Sequence, residues 1–389
     1  MSESASAPGH RRQILCVSFS PIHADSRVLR QLEVLRQHGD VTTVGYGPPP
    51  EGATKHIEVP KNASSLPQTL LGVARLALHL HESVELSAPG EKAVLRQALD
   101  SGPYDLVVAN DARALPLAFA ASRDTPVLAD MHEWAAQETA TIWVWRWLVG
   151  PYMEHLCRKY LPRTAAVTTV SAGLATLYRE HYGPETGVVR STPIFQDLTP
   201  QPIDPATIRL VHSGIADDRR NLPALIEAVN RLDGRFTLDL YLVEVPGGHL
   251  AALRAQADAN PLVTVHAPVL PASLPRVLNQ YDLGVFLFPI KTLSQLHHLP
   301  NKFFDFVQAR IGLVFAPAPE TDAYIREHGL GIITPGTSAD ALVSALQDLT
   351  AEDVSGFKAA ADRAARSLSS ETDVAYQHEL IGALLGDDQ

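Results

Sequence analysis

Lys302 and Asp305, a cation and a carboxylate, lie in the run Leu299-Pro300-Asn301-Lys302-Phe303-Phe304-Asp305-Phe306-Val307-Gln308-Ala309. At helical spacing the two share a face, while Phe303 and Val307 share the adjacent one and reach toward a core. Pro300 suits the first turn of such a helix, where its missing N–H costs nothing. The helix aims its free N–H groups and its positive end back over the segment from Ile290 to Leu299, a favourable place for an anion. An ammonium for phosphate oxygens, a carboxylate for sugar hydroxyls and a helix N-terminus together point to a nucleotide diphosphate. On an isolated helix the same residues would be an ordinary surface Lys–Asp pair. A second polar set, Asn110, Asp111, Asp130 and His132, follows two apolar runs in the first half of the chain.

Such groups need a sheet to position them. Strand-like and helix-like segments alternate through almost the whole chain, which predicts parallel sheets with helices on both faces. In the first half, Gln13 to Phe19, Val41 to Tyr46, Tyr104 to Ala109, Pro126 to Ala129 and Ala166 to Val170 read as buried strands. After the first of them a helix carries Val28, Leu29, Leu32 and Leu35 at helical spacing and ends at Gly39. Ser171 is a good N-cap for a helix running through Tyr182. From Glu51 to Leu99 the periodicity is weak and helical only around Leu70 to Leu80. Ligands of open parallel sheets bind beyond the carboxyl ends of the strands, where Asn110, Asp111, Asp130 and His132 fall. All four tryptophans lie between Trp134 and Trp147, and Trp143 and Trp147 share a helical face with Arg146 and Arg158 nearby in sequence. That face suits a membrane interface or an acceptor. Aromatic helix faces are more often core, so a packed helix is the expectation.

The alternation restarts beyond the proline-rich stretch Thr199-Pro200-Gln201-Pro202-Ile203-Asp204-Pro205. Strands are expected at Ile208 to His212, Phe236 to Val243, Val263 to Val269, Leu283 to Phe288, Gly312 to Ala316 and Gly331 to Thr334. Ser213 to Arg220 reads as a loop with two arginines, and Asn221 as the cap of a helix whose first turn holds Pro223. At 389 residues the chain exceeds what one core supports. The expected division is a tail over 1–12, a Rossmann-like domain over 13–198, a linker over 199–206, a second Rossmann-like domain over 207–370, and a C-terminal helix over 371–389 placed to pack back on the first domain. Hydrophobic residues at 46% and charged ones at 19% mark a folded chain. The net charge of -11 argues against broad nucleic-acid binding. Cys16 and Cys157 show neither metal spacing nor a disulfide framework. The polar N-terminus lacks the apolar run of a leader, and no stretch approaches the ~20 apolar residues of a membrane span. The expectation is a cytoplasmic protein, with peripheral attachment at the inner membrane face left open.

In these motifs the chain resembles the GT-B nucleotide-sugar glycosyltransferases, in particular the GT4-like group. The resemblance rests on Asp25-Ser26-Arg27-Val28, Asp130-Met131-His132-Glu133, Val170-Ser171, Ser213-Gly214 with Arg219-Arg220, and Leu299 through Asp305. It implies an α/β fold of two Rossmann-like domains with parallel sheets facing a central cleft. The first domain would hold a hydroxyl acceptor, a glycan or small molecule, and the second a UDP-, GDP- or TDP-sugar as co-substrate. The family's diphosphate signature aligns with Gly214, Ile215 and Arg220, so its first basic position is Ile215 here. Lys302, with Arg219 in reserve, is expected to supply that charge. The family's paired glutamates fall on His297 and Asp305, of which only Asp305 keeps the carboxylate for ribose hydroxyls. Asn301 stands at the start of the same motif, and Val269 and Leu270 would lie near the base.

The resemblance also implies transfer with retention and without metal, and no Asp-x-Asp cluster occurs. Arg220 and Lys302 would stabilise the leaving diphosphate. His132 would contact the donor sugar or handle a proton, the bland reading being a strand-end histidine bonded to backbone. Asp25 would be a general base in an inverting reaction or simply a helix cap. Two other readings stand beside this one. A hydrolysing sugar-nucleotide 2-epimerase would isomerise its nucleotide sugar with no acceptor present. A binding protein with a degenerate site, which Ile215 and His297 keep in view, would hold the donor without turning it over.

Overall fold

The strands form two sheets, and every pairing in both is parallel. The computed structural model describes residues 11–137, 143–217, 220–245 and 248–387. The first sheet is built from β1 (Gln13–Ser18), β2 (Asp40–Tyr46), β3 (Lys55–Val59), β4 (Leu106–Asn110), β5 (Val127–Met131), β6 (Ala166–Thr169) and β7 (Thr186–Val188), in the order β3-β2-β1-β4-β5-β6-β7. The second contains β8 (Ile208–Ile215), β9 (Phe236–Val243), β10 (Val263–His266), β11 (Leu283–Phe286), β12 (Gly312–Phe315) and β13 (Gly331–Ile333), in the order β10-β9-β8-β11-β12-β13. In each the chain winds outward one way and then restarts on the other side of its first strand. That leaves a topological switch point between β1 and β4, and another between β8 and β11. The inner strands are buried on both faces, which is why they read as continuous apolar runs.

The chain divides into two units. The first takes in the residues up to Val189, Thr292–Ser294 and those from Val374 on; the second takes in Arg190–Lys291 and Gln295–Asp373. The division falls ahead of the proline-rich stretch for a physical reason. Arg190 and Thr192 bind the carboxylate of Asp373, at 3.0 Å and 2.8 Å, and Arg310 Nη2 donates to the Gln196 carbonyl at 2.6 Å. The expected linker is itself pinned, since Asn279 Nδ2 donates to the Thr199 carbonyl and Gln201 Nε2 to Asn279 Oδ1. The last helix, Ser370–Leu384, places Ile381 in one cluster with Ile14, Cys16, Val28 and Leu32.

Several local expectations are corrected. Arg12, placed in a tail, accepts a hydrogen bond from Asp40 N at its carbonyl and pairs with Asp387; Met1 to His10 lie outside the described residues. The weakly patterned stretch holds the edge strand β3 and helices Leu70–Ala77 and Pro89–Asp100. β10 stops at His266, short of Pro268, which has no N–H to continue a ladder. Asn221 does not cap the helix Leu222–Arg231 with its side chain; its backbone is left-handed and its Nδ2 donates to the Thr337 carbonyl. The segment before helix Asn301–Gln308 contains a turn of helix at Leu293–Leu296, and Pro300 is the N-cap rather than the first helical residue. Trp143 and Trp147 do share a face, but it looks outward, at 70% and 67% exposure. The wide helical turn Trp145–Val149 sends Trp145, Leu148 and Val149 inward instead.

Two features lock the second unit. Phe303, Phe304, Phe306 and Val307 bury one side of helix Asn301–Gln308, each ring contributing about 1.5–3 kcal/mol by leaving water. The helix can come that close because β11 offers Gly284: a Cβ there would stand 2.3 Å from Phe306 Cδ2. Asp282, fully buried, accepts from Arg209 N at 2.8 Å and from Lys358 Nζ at 3.0 Å, and burial depresses the Lys358 pKa against the pull of that carboxylate. Replacing Asp282 by Ala leaves a buried ammonium without its counter-ion. The variant is expected to lose about 3–5 kcal/mol, read as a lower urea midpoint for the second unit; a change within error would remove the pair from its stability.

Candidate functional site

Polar residues converge at the carboxyl ends of strands in both units. In the first, helix Ser26–His38 buries Arg27 and Gln31, one turn apart, beside Val28 and Leu32. Both reach Asp130 at the end of β5: Arg27 Nη2 donates to Oδ1 at 2.6 Å and Nε to Oδ2 at 3.0 Å, and Gln31 Nε2 donates to Oδ2 at 3.2 Å. Thr168 Oγ1 adds a further bond from β6 at 2.8 Å. Burial works against ionising Asp130, but the guanidinium and His132 outweigh it and hold the carboxyl well below its usual range.

His132 sits beside this carboxylate with both ring nitrogens engaged. Nε2 lies 3.1 Å from Asn110 Oδ1, an oxygen that can only accept, so this nitrogen carries a proton; it is also 3.5 Å from Asp130 Oδ2. Nδ1 faces Asp111 Oδ2 at 3.4 Å, and the backbone N–H of His132 donates to Asp111 Oδ1 at 2.9 Å. Asp111 makes both contacts from a strained backbone, φ 66 and ψ 165, rarely adopted outside glycine. Burial opposes the charge on His132, yet Asp111 and Asp130 together raise its pKa above the ordinary value. The two carboxylates thus favour the protonated form of the ring against the cost of its burial. Asp25 is committed elsewhere: Oδ1 accepts from Arg27 N and Val28 N as the helix N-cap, and Oδ2 accepts from Ser20 Oγ.

In the second unit the switch point between β8 and β11 carries the other cluster. These strands pair at Leu210 with Leu283 and at Val211 with Gly284. One step on, the side chain of His212 takes over, its Nδ1–H donating to the Val285 carbonyl at 2.9 Å. That bond fixes the tautomer and leaves Nε2 as a buried lone pair with no hydrogen-bond partner among the described residues. Burial, then Lys302 and Arg220, push the His212 pKa down to about 3, so the ring is neutral. Gly214 follows with φ +152, and a Cβ there would lie 2.8 Å from Lys302 Nζ. No side chain separates the strand end from the lysine.

Lys302 forms no hydrogen bond or ion pair among the described residues; its Nζ lies over the Phe286 ring at 5.9 Å. The Arg220 guanidinium stands over the same ring at 5.9 Å and over Phe288 at 5.1 Å. Burial, with Arg220 second, lowers the Lys302 pKa to about 8, against the pull of Asp305. Phe286 and Phe288 continue into a small, largely apolar pocket shared with His298, Pro300 and Thr321. His297 Nδ1 is 3.1 Å from Glu320 Oε1 at the start of helix Pro319–His328. Asn301 opens its helix exposed, Asp305 is half-buried, Val269 is half-buried against the core and Leu270 is exposed. Arg219 lies outside the described residues.

The second unit thus brings Gly214, Arg220 and Lys302 together, with Asp305 on the lysine's helix. His132 belongs to a separate cluster in the first unit. Sequence reasoning passed over His212, Glu320, Gln31 and Thr168. For Gln31 and Arg27 a signal existed, polar residues one turn apart on an otherwise apolar helix face. His212 reads from sequence as one more strand residue.

Residues 9–193 match the family described as Glycosyl transferase 4-like domain. No curated protein matches the sequence. Among solved structures, the fold is shared with sucrose-phosphate synthase from Thermosynechococcus elongatus, at TM-score 0.71 and 14% identity over 97% of this chain and 100% of that one. HepE from Anabaena, in complex with UDP and glucose, gives TM-score 0.65 and 15% identity over 97% and 100%. A glycosyltransferase from Rickettsia africae gives 0.66 and 12% over 98% and 100%. At such identities these likenesses show the fold, two parallel sheets in the GT-B arrangement of elements.

The pairing of Asp111 with His132 has a measurable consequence. Because the pair raises the folded pKa, its stabilisation is complete below the unfolded histidine value near 6.5 and is lost as pH rises through the raised value. Asp111→Asn is expected to lower the His132 pKa, read from ring nitrogen shifts in an NMR titration. Its stability deficit should be largest at acid pH and narrow as pH rises. An unchanged titration would detach Asp111 from the ring.

Proposed function

We propose that this chain, a glycosyltransferase of the GT-B fold with a glycosyl transferase 4-like domain over residues 9–193, binds a nucleotide-diphosphate sugar in its second unit and transfers the sugar to a hydroxyl acceptor. The observation that carries this reading is Lys302: a half-buried ammonium bonded to no carboxylate among the described residues, beside Gly214 at a switch point and sharing the Phe286 ring with Arg220. Two cations crowded together in low dielectric lower each other's affinity for a proton, and a dianion between them reverses that cost. Lys302 and Arg220 hold the diphosphate, with the helix N-terminus at Asn301 adding backbone donors. Arg219 stands in reserve by sequence. Gly214 lets the phosphates approach the backbone, and Asp305 accepts from ribose hydroxyls. The neutral His212 offers its Nε2 lone pair to a donor hydroxyl. His297, backed by Glu320, faces the sugar, and Val269 and Leu270 flank the base.

Chemistry follows from which groups remain uncommitted. The bond from the anomeric carbon to the diphosphate breaks with its electrons leaving on phosphate, and Lys302 and Arg220 stabilise that charge. A bond from the acceptor oxygen forms on the same carbon. Asp25 serves as a helix cap and His132 has both ring nitrogens engaged, by Asn110 and Asp111, so neither takes up the acceptor proton. It passes to the departing diphosphate, which accords with retention. No metal is assigned a role, and His132 is a group held in place by Asn110 and Asp111.

Thermal unfolding with UDP, GDP, TDP, ADP and CMP, without added metal, tests the donor site. HepE was solved with UDP, so UDP comes first. A diphosphate at a hundred times its Kd adds about 2.7 kcal/mol to the folded state, and Arg220→Ala should abolish the shift while leaving the unliganded midpoint in place. No shift with any nucleotide would overturn the reading. Lys302 loses its proton near pH 8, so diphosphate affinity should fall between pH 7 and pH 9, by up to about tenfold per unit above the pKa, and Lys302→Arg should flatten the profile. A fall that persists in Lys302→Arg would place the titrating group elsewhere.

A further inference from the structure

Phe286 is the last residue of β11 and is buried. Its ring is held from several sides by other rings. His212 and Phe288 lie parallel to it, 6.1 Å and 5.6 Å away between centroids at interplanar angles of 7° and 10°. Phe315, its register partner on β12, tilts against it at 5.4 Å. A ring fixed in this way presents a fixed quadrupole, negative over its faces and positive at its edge.

Two cations use that ring. Lys302 Nζ and the Arg220 guanidinium each stand over it at 5.9 Å from the centroid, within the distance at which a cation is drawn to an aromatic face. For Lys302 the position is not the one its helix offers most cheaply. Asp305 lies three residues on, and a four-carbon stem can carry an ammonium to such a neighbour or out to water. The lysine turns instead toward Gly214 and the ring, with no ion pair among the described residues. Burial and the charge of Arg220 both oppose the ammonium there, and Asp305 favours it without bonding to it. His212, stacked on the same ring, is neutral and gives its Nδ1–H to the Val285 carbonyl. The aromatic face is the remaining favourable contact for the charge, and such a contact gains strength where water is excluded. An aliphatic side chain would fill this part of the core and leave the two cations with nothing but each other's repulsion.

We propose that Phe286 is a positioning residue of the donor site, its ring holding Lys302 and Arg220 side by side as the pair that receives the diphosphate. This role rests on the reading that the second unit takes a nucleotide diphosphate. Replacing Phe286 in the full chain by mono-, di- and trifluorinated phenylalanine tests it, because fluorine drains the ring's face of negative charge while its shape is nearly kept. The titration of Lys302 is followed in the free protein by NMR of the lysine side chains, its signal assigned by its loss in Lys302→Arg. The midpoint should fall with each added fluorine, by about half a pH unit for the trifluorinated ring. UDP affinity should then be nearly unchanged at pH 7 and about threefold weaker at pH 9. A ring that only fills the core would move neither readout. If UDP raises the wild-type Tm but the midpoint stays put through the series, the role of Phe286 is overturned and the donor reading stands. If the midpoint falls but no nucleotide shifts the wild-type Tm, the donor reading is overturned, and the positioning role with it, while the contact between ring and lysine is retained.

Discussion

An ion with no water around it must be surrounded by partners, and that requirement organises both clusters. In the first unit it is met in full. Asp130 gathers Arg27, Gln31, Thr168 and the edge of His132, drawing one helix and two neighbouring strands to a single carboxylate. In the second unit it is not met. Lys302 is lowered into a half-buried position by a helix whose Phe306 rests on Gly284, and it finds there an arginine and a neutral imidazole rather than an acid. The carboxylate of the first cluster is matched by its donors, whereas Lys302 in the second is bonded to no acid among the described residues.

Much of this was legible in the residues because it depends on local spacing. Lys302 and Asp305 share a face on any helix that starts after Pro300, and the alternation of strands and helices placed Asn110, Asp130 and His132 at strand ends. What escaped depends on distant partners. His212 is an ordinary strand residue until β8 and β11 stop pairing and its ring bridges to Val285. Arg27 lies in a recognisable motif, yet its meaning comes from Asp130, far along the chain. Edge strand β3 is short and alternates in burial among glycines and prolines, so its signal was faint. For Trp143 and Trp147 the period gives the shared face but not whether protein or solvent lies opposite it.

The departures at Ile215 and His297 acquire a physical context. Ile215 sits at the end of β8, one residue past Gly214, and Lys302 stands within contact distance of where a Gly214 side chain would be. His297 lacks a carboxylate of its own and is joined to one, Glu320, from the next helix.

The last helix carries a further consequence, for the order in which the protein is made. Ile381 completes the cluster of Ile14, Val28 and Leu32, yet it is translated after every residue of the second unit. During vectorial synthesis the first unit emerges with one wall of its core missing, and it stays so until the ribosome has delivered the other unit. Its nascent form therefore waits with apolar side chains uncovered beside the helix Ser26–His38.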